Sequence, residues 1–200
     1  MTLFVGPDGH ERCKWSGSAP EFLDYHDTEW GFPVVDDTRL FEKLCLESFQ
    51  SGLSWRTILN KREGFRRAFD GFDATKVARY GDADVARLLA DASIVRHRGK
   101  IEAVINNAQR ALEMVESEGS LARFLWQYEP ADDEVAEPQT QSTSASSVAL
   151  SKELKRRGWK FVGPTTVFAF MQAMGLINDH SHGCVRRDAA EKARADFKRP

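Results

Sequence analysis

Apolar residues recur at helical spacing through the middle of the chain. Between Asp36 and Tyr128 they return mostly every three or four residues, and no stretch alternates convincingly between apolar and polar positions as a half-buried strand would. In the first helical segment these apolar positions are Leu40, Phe41, Leu44, Cys45 and Phe49. Three aspartates are placed as helix N-caps: Asp37, Asp73 and Asp82. The pattern predicts an all-α fold.

The last third of the chain contains a polar tract and an apolar helix. Residues 129–147 are acidic and polar and include two prolines, which predicts a long surface loop or linker. A helix is predicted from about Val148 to Arg157. Another, from Thr165 to Met174, follows Gly163 and Pro164 and is apolar on every side. A helix without a polar face should form the buried centre of a bundle.

Length and composition restrict the architecture and the compartment. With 200 residues, 42% of them hydrophobic, the chain can form one compact domain over residues 1–200, with residues 1–10 and 186–200 flexible or peripheral. It lacks a transmembrane-length apolar run and a signal peptide, so we expect a cytoplasmic protein with no membrane association. Its three cysteines argue against a disulfide framework. The net charge of -2 requires any nucleic-acid binding to depend on local basic patches.

Two pairs of potential metal ligands lie near opposite ends of the chain, Cys13 with His26 and His180 with Cys184. Two thiolates and two imidazoles match the tetrahedral shell of a structural zinc, which would join the N- and C-terminal segments. Because the protein would fill all four positions, such a zinc could not bind a catalytic water. Two alternatives stay open at this point. His182 offers a competing imidazole, and the two cysteines could be small buried hydrophobic residues.

Aromatic residues are concentrated in the first quarter of the chain, several of them in loop-like sequence beside the candidate ligands. A cluster of such rings can hold a flipped-out, positively charged purine by stacking and cation-π attraction. Packing in the core is the alternative. We favour core packing for Trp30, Phe32, Phe41 and Phe49 and leave Trp15, Tyr25 and Trp55 open.

Glu47 is the acidic residue of most interest. On a helical wheel it falls about 20° from Leu40 and about 60° from Leu44, at the margin of the apolar stripe. The wheel alone favours an ordinary surface glutamate paired with Lys43 one turn earlier. Its position immediately before the segment Ser48–Trp55 favours a functional role, for the following reason.

Several stretches match, in order, the motifs of a known family. They are Glu11–Trp15, Tyr25–Gly31, Leu46–Glu47 with Gly52–Trp55, Arg96–Ile101, Thr143–Ser146, Lys160–Gly163, and Met171–Ala173 through Asn178–His180. Together they resemble the DNA-3-methyladenine glycosylase I family, bacterial repair enzymes of the helix-hairpin-helix superfamily. The resemblance runs from residue 11 to residue 184 and covers most of the chain.

This resemblance implies a helix-hairpin-helix glycosylase-like bundle. It implies a monofunctional hydrolase that flips 3-methyladenine out of alkylated double-stranded DNA, cleaves its N-glycosidic bond and leaves an abasic site. One structural zinc would be held by Cys13, His26, His180 and Cys184. The base pocket would consist of Trp15, Phe22, Tyr25, Glu47 and Trp55. Glu47 would accept hydrogen bonds from the base and be the most sensitive residue, while Phe22 stands where the family can carry tyrosine.

The resemblance also implies two elements that contact DNA. The loop Gln50–Leu53 would enter the gap left by the flipped base, with Gly52 in the turn and Leu53 as the apolar plug. The hairpin turn Ser93–Gly99 would face a phosphate with its backbone N–H groups. Ser93 stands where the family often has glycine, which affects the tightness of that turn. Local positive charge would come from Arg96, Arg98 and Lys100.

Two other classes of function fit parts of this sequence. A noncatalytic helix-hairpin-helix module would bind damaged and undamaged duplexes alike, and a different hydrolase would use a catalytic zinc. The chain contains no lysine in a segment typical of a Schiff-base nucleophile, which favours a monofunctional enzyme. A monomer is expected because one lesion needs one pocket. The tail from Val185 has no recognised counterpart and is either a short exposed helix or disordered.

Overall fold

The computed structural model describes residues 3–131, 133–135 and 137–200. These residues form ten α-helices and one antiparallel pair of short strands, β1 (Phe4–Val5) and β2 (Glu11–Arg12). The helices are α1 (Pro20–Thr28), α2 (Asp37–Gln50), α3 (Trp55–Ala68), α4 (Ala74–Val77), α5 (Asp82–Ala90), α6 (Arg98–Glu118), α7 (Leu121–Leu125), α8 (Ala145–Arg156), α9 (Pro164–Ala173) and α10 (Arg187–Asp196). The all-α fold is confirmed.

Helices α2 and α9 lie at the centre of the bundle and pack against each other. The apolar helix α9 buries Val167, Phe168, Phe170, Met171 and Ala173, as its lack of a polar face predicts. In α2, ten successive residues from Leu40 to Phe49 are buried. A helix buried on all sides also buries its polar side chains, so those of α2 must find partners inside the protein.

Only one of the three predicted N-caps is confirmed. The Asp73 side chain caps α4. Asp36 rather than Asp37 caps α2, and the carboxylate of Asp37 instead accepts hydrogen bonds from the first backbone N–H groups of α7, 84 and 85 residues away. Gly81 rather than Asp82 is the N-cap of α5. Short polar side chains in general favour the N-cap position, so sequence alone does not show which of two neighbouring residues caps a helix. Nor does it show that a side chain caps a helix distant in the chain.

Gly175 turns the chain sharply after α9. Its φ is +76°, and an added Cβ would lie 2.4 Å from the carbonyl carbon of Phe32 and the nitrogen of Pro33. Only glycine combines this left-handed backbone with such close approach of another backbone. The loop after α9 is therefore held directly against the segment that follows α1.

The N- and C-terminal segments meet in the same region. The backbone N–H of Val185 donates to the carbonyl oxygen of Glu11 in β2, at 2.8 Å. In the tail, α10 buries Ala190 completely, and Phe197 packs on Trp126 with ring centroids 4.4 Å apart. Of the two alternatives for the tail from Val185, a short helix and a disordered segment, the structure shows the helix. Residues 1 and 2 of the expected flexible segment lie outside the described residues, and the single domain stays a prediction.

Where the structure is described, none of the helices combines the length and apolar character needed to cross a bilayer.

Candidate active site

A cavity of about 370 Å³ opens beside α1, α2, α3 and α9. All five residues predicted for the base pocket line it: Trp15, Phe22, Tyr25, Glu47 and Trp55. Gln50, from the predicted DNA wedge, also lines it. Helix α1 begins at Pro20 and presents Phe22, Tyr25 and His26 on one face because they are three or four residues apart. The same short helix therefore contributes both to the cavity and to the neighbouring candidate metal centre.

The aromatic rings of the cavity contact one another edge-on or at a tilt. The ring centroids of Trp15 and Phe22 are 5.8 Å apart, and those of Trp15 and Trp30 are 5.1 Å apart. Tyr25 and Trp55 meet at 5.3 Å. Because the rings are packed against one another, their positions are held without a ligand. Trp30, expected in the core, is buried and also lines the cavity.

Glu47 is buried in the cavity wall and is paired with Lys43. The Oε1 atom of Glu47 lies 2.7 Å from Nζ of Lys43, and the two side chains are 5% and 7% exposed. The partner expected from the helical wheel is the observed one, but the pair lies inside the protein and not on its surface. A buried ion pair is costly to form and costly to break, which distinguishes this pair from an ordinary surface contact.

Sequence reasoning expected Lys43 as a surface partner of Glu47 and missed its burial beside the cavity. Its ammonium donates to the hydroxyl of Tyr25 at 2.7 Å and lies 3.5 Å from the ring centroid of Trp55. Burial lowers the pKa of Lys43 below its ordinary value, while the carboxylate of Glu47 opposes this shift. The four-residue spacing of Lys43 and Glu47 indicates from the sequence that the two side chains can pair. Their burial depends on helices that pack around α2.

Trp55 also carries a buried polar atom that has no partner in the described part of the protein. Its Nε1 is buried and has no hydrogen-bond partner among the described residues. An unpaired buried N–H costs about 1–3 kcal/mol. The carboxylate of Glu47 is a hydrogen-bond acceptor in the cavity wall.

A second polar wall comes partly from the tract predicted as a surface loop. Gln139, Gln141 and Gln172 line the cavity. Asp179 is almost fully buried and accepts from the backbone N–H of Gln139 at 2.8 Å and from Nε2 of Gln172 at 2.6 Å. Burial raises the pKa of Asp179, and these hydrogen bonds oppose the shift. Two residues of the tract, Asp132 and Ala136, lie outside the described residues.

The four predicted metal ligands come together in one buried cluster. One ligand atom from each of Cys13, His26, His180 and Cys184 lies within 4.8 Å of the others. Sγ of Cys184 lies 3.5 Å from Nε2 of His26 and from Nδ1 of His180. Metal-ligand bonds of about 2.3 Å to sulfur and about 2.0–2.1 Å to nitrogen place tetrahedral ligands roughly 3.6 Å apart. The cluster therefore fits a tetrahedral metal.

Contacts on the far side of each imidazole orient the ring toward the cluster. Nδ1 of His26 lies 2.7 Å from Oδ1 of Asp27, which leaves Nε2 facing the cluster. Nε2 of His180 lies 3.1 Å from the carbonyl oxygen of Trp30, which leaves Nδ1 facing it. Arg12 holds Asp27 in turn, with N–O distances of 2.8–3.0 Å. Such outer contacts are typical of imidazoles that bind metals.

Burial and contacts distinguish His182 from the four residues of the cluster. The side chain of His182 is 64% exposed and lies 3.9 Å from Glu137, outside the cluster. Contact with the Cys13 thiol and with both imidazoles holds the pKa of the Cys184 thiol well below its ordinary value, whereas the Cys184 thiolate and burial raise the pKa of Cys13. A divalent cation at the centre would allow both thiols to ionise.

The predicted DNA wedge is exposed at the end of α2. Gly52 has a φ of +78°, and Leu53 is 41% exposed. Lys100, expected to present its charge to DNA, is instead buried, and its ammonium donates to the carbonyl oxygens of Phe49 and Ser51 at 2.8 and 2.5 Å. This corrects its expected role, since its ammonium is already bound by the carbonyl oxygens of Phe49 and Ser51. Lys100 ties the wedge loop to α6.

The predicted hairpin connects α5 to α6. Arg96 and Arg98 are exposed there, and Arg98 pairs with Glu102 one turn later at 3.3 Å. The turn packs tightly against α3, where a Cβ added to Gly64 would lie 2.5 Å from the carbonyl oxygen of Ser93. Ser93 is thus accommodated because its partner helix has glycine at the point of contact.

Comparison with known proteins gives one consistent result. The family described as "Methyladenine glycosylase" matches residues 15–187. DNA-3-methyladenine glycosylase 1 of Escherichia coli K12 is 49% identical over 179 residues, covering 87% of this chain and 95% of that protein.

Solved structures agree with the sequence comparison. A crystal structure of 3-methyladenine DNA glycosylase I has a TM-score of 0.80 at 44% identity, covering 87% of this chain and 98% of that one. A tyrosine-to-phenylalanine variant of 3-methyladenine DNA glycosylase I in complex with 3-methyladenine has a TM-score of 0.78 at 39% identity, covering 88% and 96%.

Proposed function

The chain belongs to the methyladenine glycosylase family and is a DNA repair hydrolase of N-glycosyl bonds, and we propose that its aromatic cavity is the active site. It removes 3-methyladenine from alkylated double-stranded DNA and leaves an abasic site. The observation that carries this proposal is the placement of Glu47, a buried carboxylate, in the wall of a cavity of about 370 Å³ lined by aromatic rings.

The chemistry of the lesion explains why this site needs no strong general acid. Methylation at N3 makes adenine cationic, so cleavage of its bond to C1′ releases a neutral purine. The enzyme extrudes the nucleotide and stacks the base among Trp15, Tyr25 and Trp55. Glu47 accepts hydrogen bonds from the edge of the base. Water then attacks the sugar.

The environment of Lys43 supports a monofunctional reaction. A Schiff-base nucleophile must be a free amine. The nitrogen of Lys43 contacts the carboxylate of Glu47 and the hydroxyl of Tyr25, both at 2.7 Å, and Lys43 is not among the residues that line the cavity, so its amine does not face a bound nucleotide.

A structural zinc held by Cys13, His26, His180 and Cys184 is part of this proposal. When bound, it joins the N-terminal segment and α1 to the loop that follows α9. Its shell of four protein ligands leaves no position for water, which argues against the alternative of a hydrolase with a catalytic zinc. The metal centre thereby supports the cavity wall, because His26 follows Tyr25 directly in α1.

Leu53 is proposed to fill the space left by the flipped base. We expect Leu53→Ala to lower the release of 3-methyladenine from duplex DNA about 10- to 100-fold, because burial of this side chain against bases is worth roughly 1.5–3 kcal/mol. Chromatography of the released base measures the rate. Thermal stability and binding of free 3-methyladenine should not change, since Leu53 is exposed in the protein alone. Val148→Ala, an exposed apolar change on α8, is the matched control; an equal effect of both variants would contradict the assignment.

Further parts of the proposal are inferred from the reaction and not from contacts in the structure. The enzyme acts as a monomer in the cytoplasm, and Arg96 and Arg98 approach DNA phosphates beside the hairpin. A noncatalytic helix-hairpin-helix module, the rival proposal, would not require a buried carboxylate among aromatic rings.

The decisive experiment incubates purified protein with methylated duplex DNA and separates the free bases by chromatography. We expect release of 3-methyladenine with little 7-methylguanine, above the spontaneous loss seen without enzyme. If folded, zinc-loaded protein releases no base and binds damaged and undamaged duplexes alike, the binding-module alternative is correct.

A further inference from the structure

Gln172 is a polar side chain of the cavity wall that is held from behind. It lies one turn after Ala169 on α9, and both residues line the cavity. Nε2 of Gln172 donates to Oδ2 of Asp179 at 2.6 Å, while Oδ1 of Asp179 accepts from the backbone N–H of Gln139 at 2.8 Å. Because Asp179 is buried, water does not compete for these hydrogen bonds.

The chemistry of the two groups decides which end of the Gln172 amide faces Asp179. An ionised carboxylate accepts hydrogen bonds and cannot donate, whereas a glutamine amide has one donating and one accepting end. Gln172 must therefore turn its NH2 group toward Asp179. Its Oε1 atom lies on the other arm of the amide, and no residue in the described part of the chain donates a hydrogen bond to it. This oxygen is left for a ligand in the cavity.

An acceptor in this wall matches the edge of a 6-aminopurine. The amine at C6 carries two N–H donors and N1 is an acceptor, whereas a 6-oxopurine has an acceptor at C6 and a donor at N1. Glu47, which lines the same cavity, can accept one hydrogen of the amine, and Oε1 of Gln172 can accept the other. A carbonyl oxygen in place of the amine would meet two acceptors and leave all of these buried groups unpaired, which is costly.

We propose that Gln172 is a specificity-determining residue that accepts a hydrogen bond from the 6-amino group of the base and disfavours 6-oxopurines. Asp179 is a positioning residue, because it acts on the base only by fixing the orientation of the Gln172 amide. This inference rests on the proposed function of the cavity. It concerns the group at C6 of the base and not the cleavage step.

The test compares two uncharged ligands that share a methyl group at N3 and differ at C6 and N1, 3-methyladenine and 3-methylhypoxanthine. Calorimetric titration measures both affinities. Gln172→Met keeps the length of the side chain without hydrogen-bonding groups. We expect it to lower the ratio of aminopurine to oxopurine affinity about 5- to 10-fold, the value of one hydrogen bond. Gln127→Met, at an exposed glutamine whose amide donates to the carbonyl of Arg123, is the matched control and should not change the ratio.

Asp179→Asn should reverse the Gln172 amide. The backbone N–H of Gln139 can only donate, so it retains the asparagine oxygen, and the asparagine NH2 group then faces Gln172. Gln172 turns its oxygen toward that donor and its own NH2 group toward the base. We expect the affinity ratio to fall about 10- to 100-fold, because two donors then face each other at C6. Adding Gln172→Glu to Asp179→Asn restores an acceptor to the cavity and should return the ratio toward that of the wild type.

The ratio distinguishes this role from a structural one. Metal content and circular dichroism are measured for each variant, because Asp179 precedes a proposed metal ligand. An unchanged ratio in Gln172→Met overturns the inference, also where Asp179→Asn does not fold. Equal loss of both affinities in Asp179→Asn, or no recovery of the ratio on adding Gln172→Glu, overturns it as well. Wild-type protein that binds neither purine and releases no 3-methyladenine from methylated DNA overturns the proposed function and this inference together.

Discussion

Replacing Glu47 with glutamine will slow the release of 3-methyladenine from methylated duplex DNA by about two orders of magnitude or more. The change removes the negative charge from the cavity wall and leaves the buried ammonium of Lys43 without its counter-ion. Breaking a buried ion pair costs about 3–5 kcal/mol, and a lost electrostatic contact in an active site typically costs 10²–10³ in rate. Single-turnover kinetics with chromatography of the released base measures the effect.

Part of the decrease in rate will come from lower stability of the Glu47→Gln variant. A second variant separates this effect from the loss of base recognition. Glu47→Gln combined with Lys43→Met removes the ion pair as a unit, which is often tolerated by a protein core. We expect the double variant to recover thermal stability but not the rate. Glu113→Gln, at an exposed ion pair with Arg110 on α6, is the matched control and should be fully active. An undiminished rate in Glu47→Gln would show that the carboxylate has been wrongly assigned.

We expect the replacement of Cys184 with serine to abolish binding of the proposed zinc and to unfold much of the protein. The side chain belongs to a buried cluster that joins the region after α9 to the N-terminal segment, and metal binding to such clusters is coupled to folding. Since whole domains are stable by only about 5–15 kcal/mol, loss of a structural zinc removes a large share of that free energy. Atomic emission for metal content and circular dichroism during heating measure both effects.

His182→Ala is the matched control for Cys184→Ser. This imidazole lies two residues from a proposed ligand but outside the cluster, so its loss should change neither metal content nor melting temperature. Wild-type protein treated with a strong chelator should behave like Cys184→Ser. If Cys184→Ser is metal-free and melts with the wild type, the cluster is not a structural metal centre.

Local sequence patterns predicted the features of this protein that depend on local geometry. The helical spacing of apolar residues predicted the all-α fold, because which side chains share a face depends on backbone geometry and not on the neighbouring helices. The all-apolar composition of residues 165–174 predicted the buried centre of the bundle for the same reason. The family motifs predicted which side chains meet in the cavity, although they are distant in the chain.

Sequence alone did not predict which polar residues are buried. Lys43, Glu47 and Lys100 each suit a solvated helix surface, yet helices and loops from distant parts of the chain cover them. Asp37 lies where a cap of α2 was predicted, but its carboxylate accepts hydrogen bonds from the first backbone N–H groups of α7. Each of these outcomes depends on which groups from elsewhere reach the side chain, and that is a property of packing.

The sequence by itself therefore determined the helices, the Cys and His residues of the buried cluster, and the aromatic and acidic residues that line the cavity. Only the tertiary structure decided that Lys43 and Glu47 pair inside the protein, that Lys100 supports the wedge loop, and that Gln139 lines one wall of the cavity. The physical reason is that residue type and spacing act within one helix, whereas burial and charge pairing arise between segments.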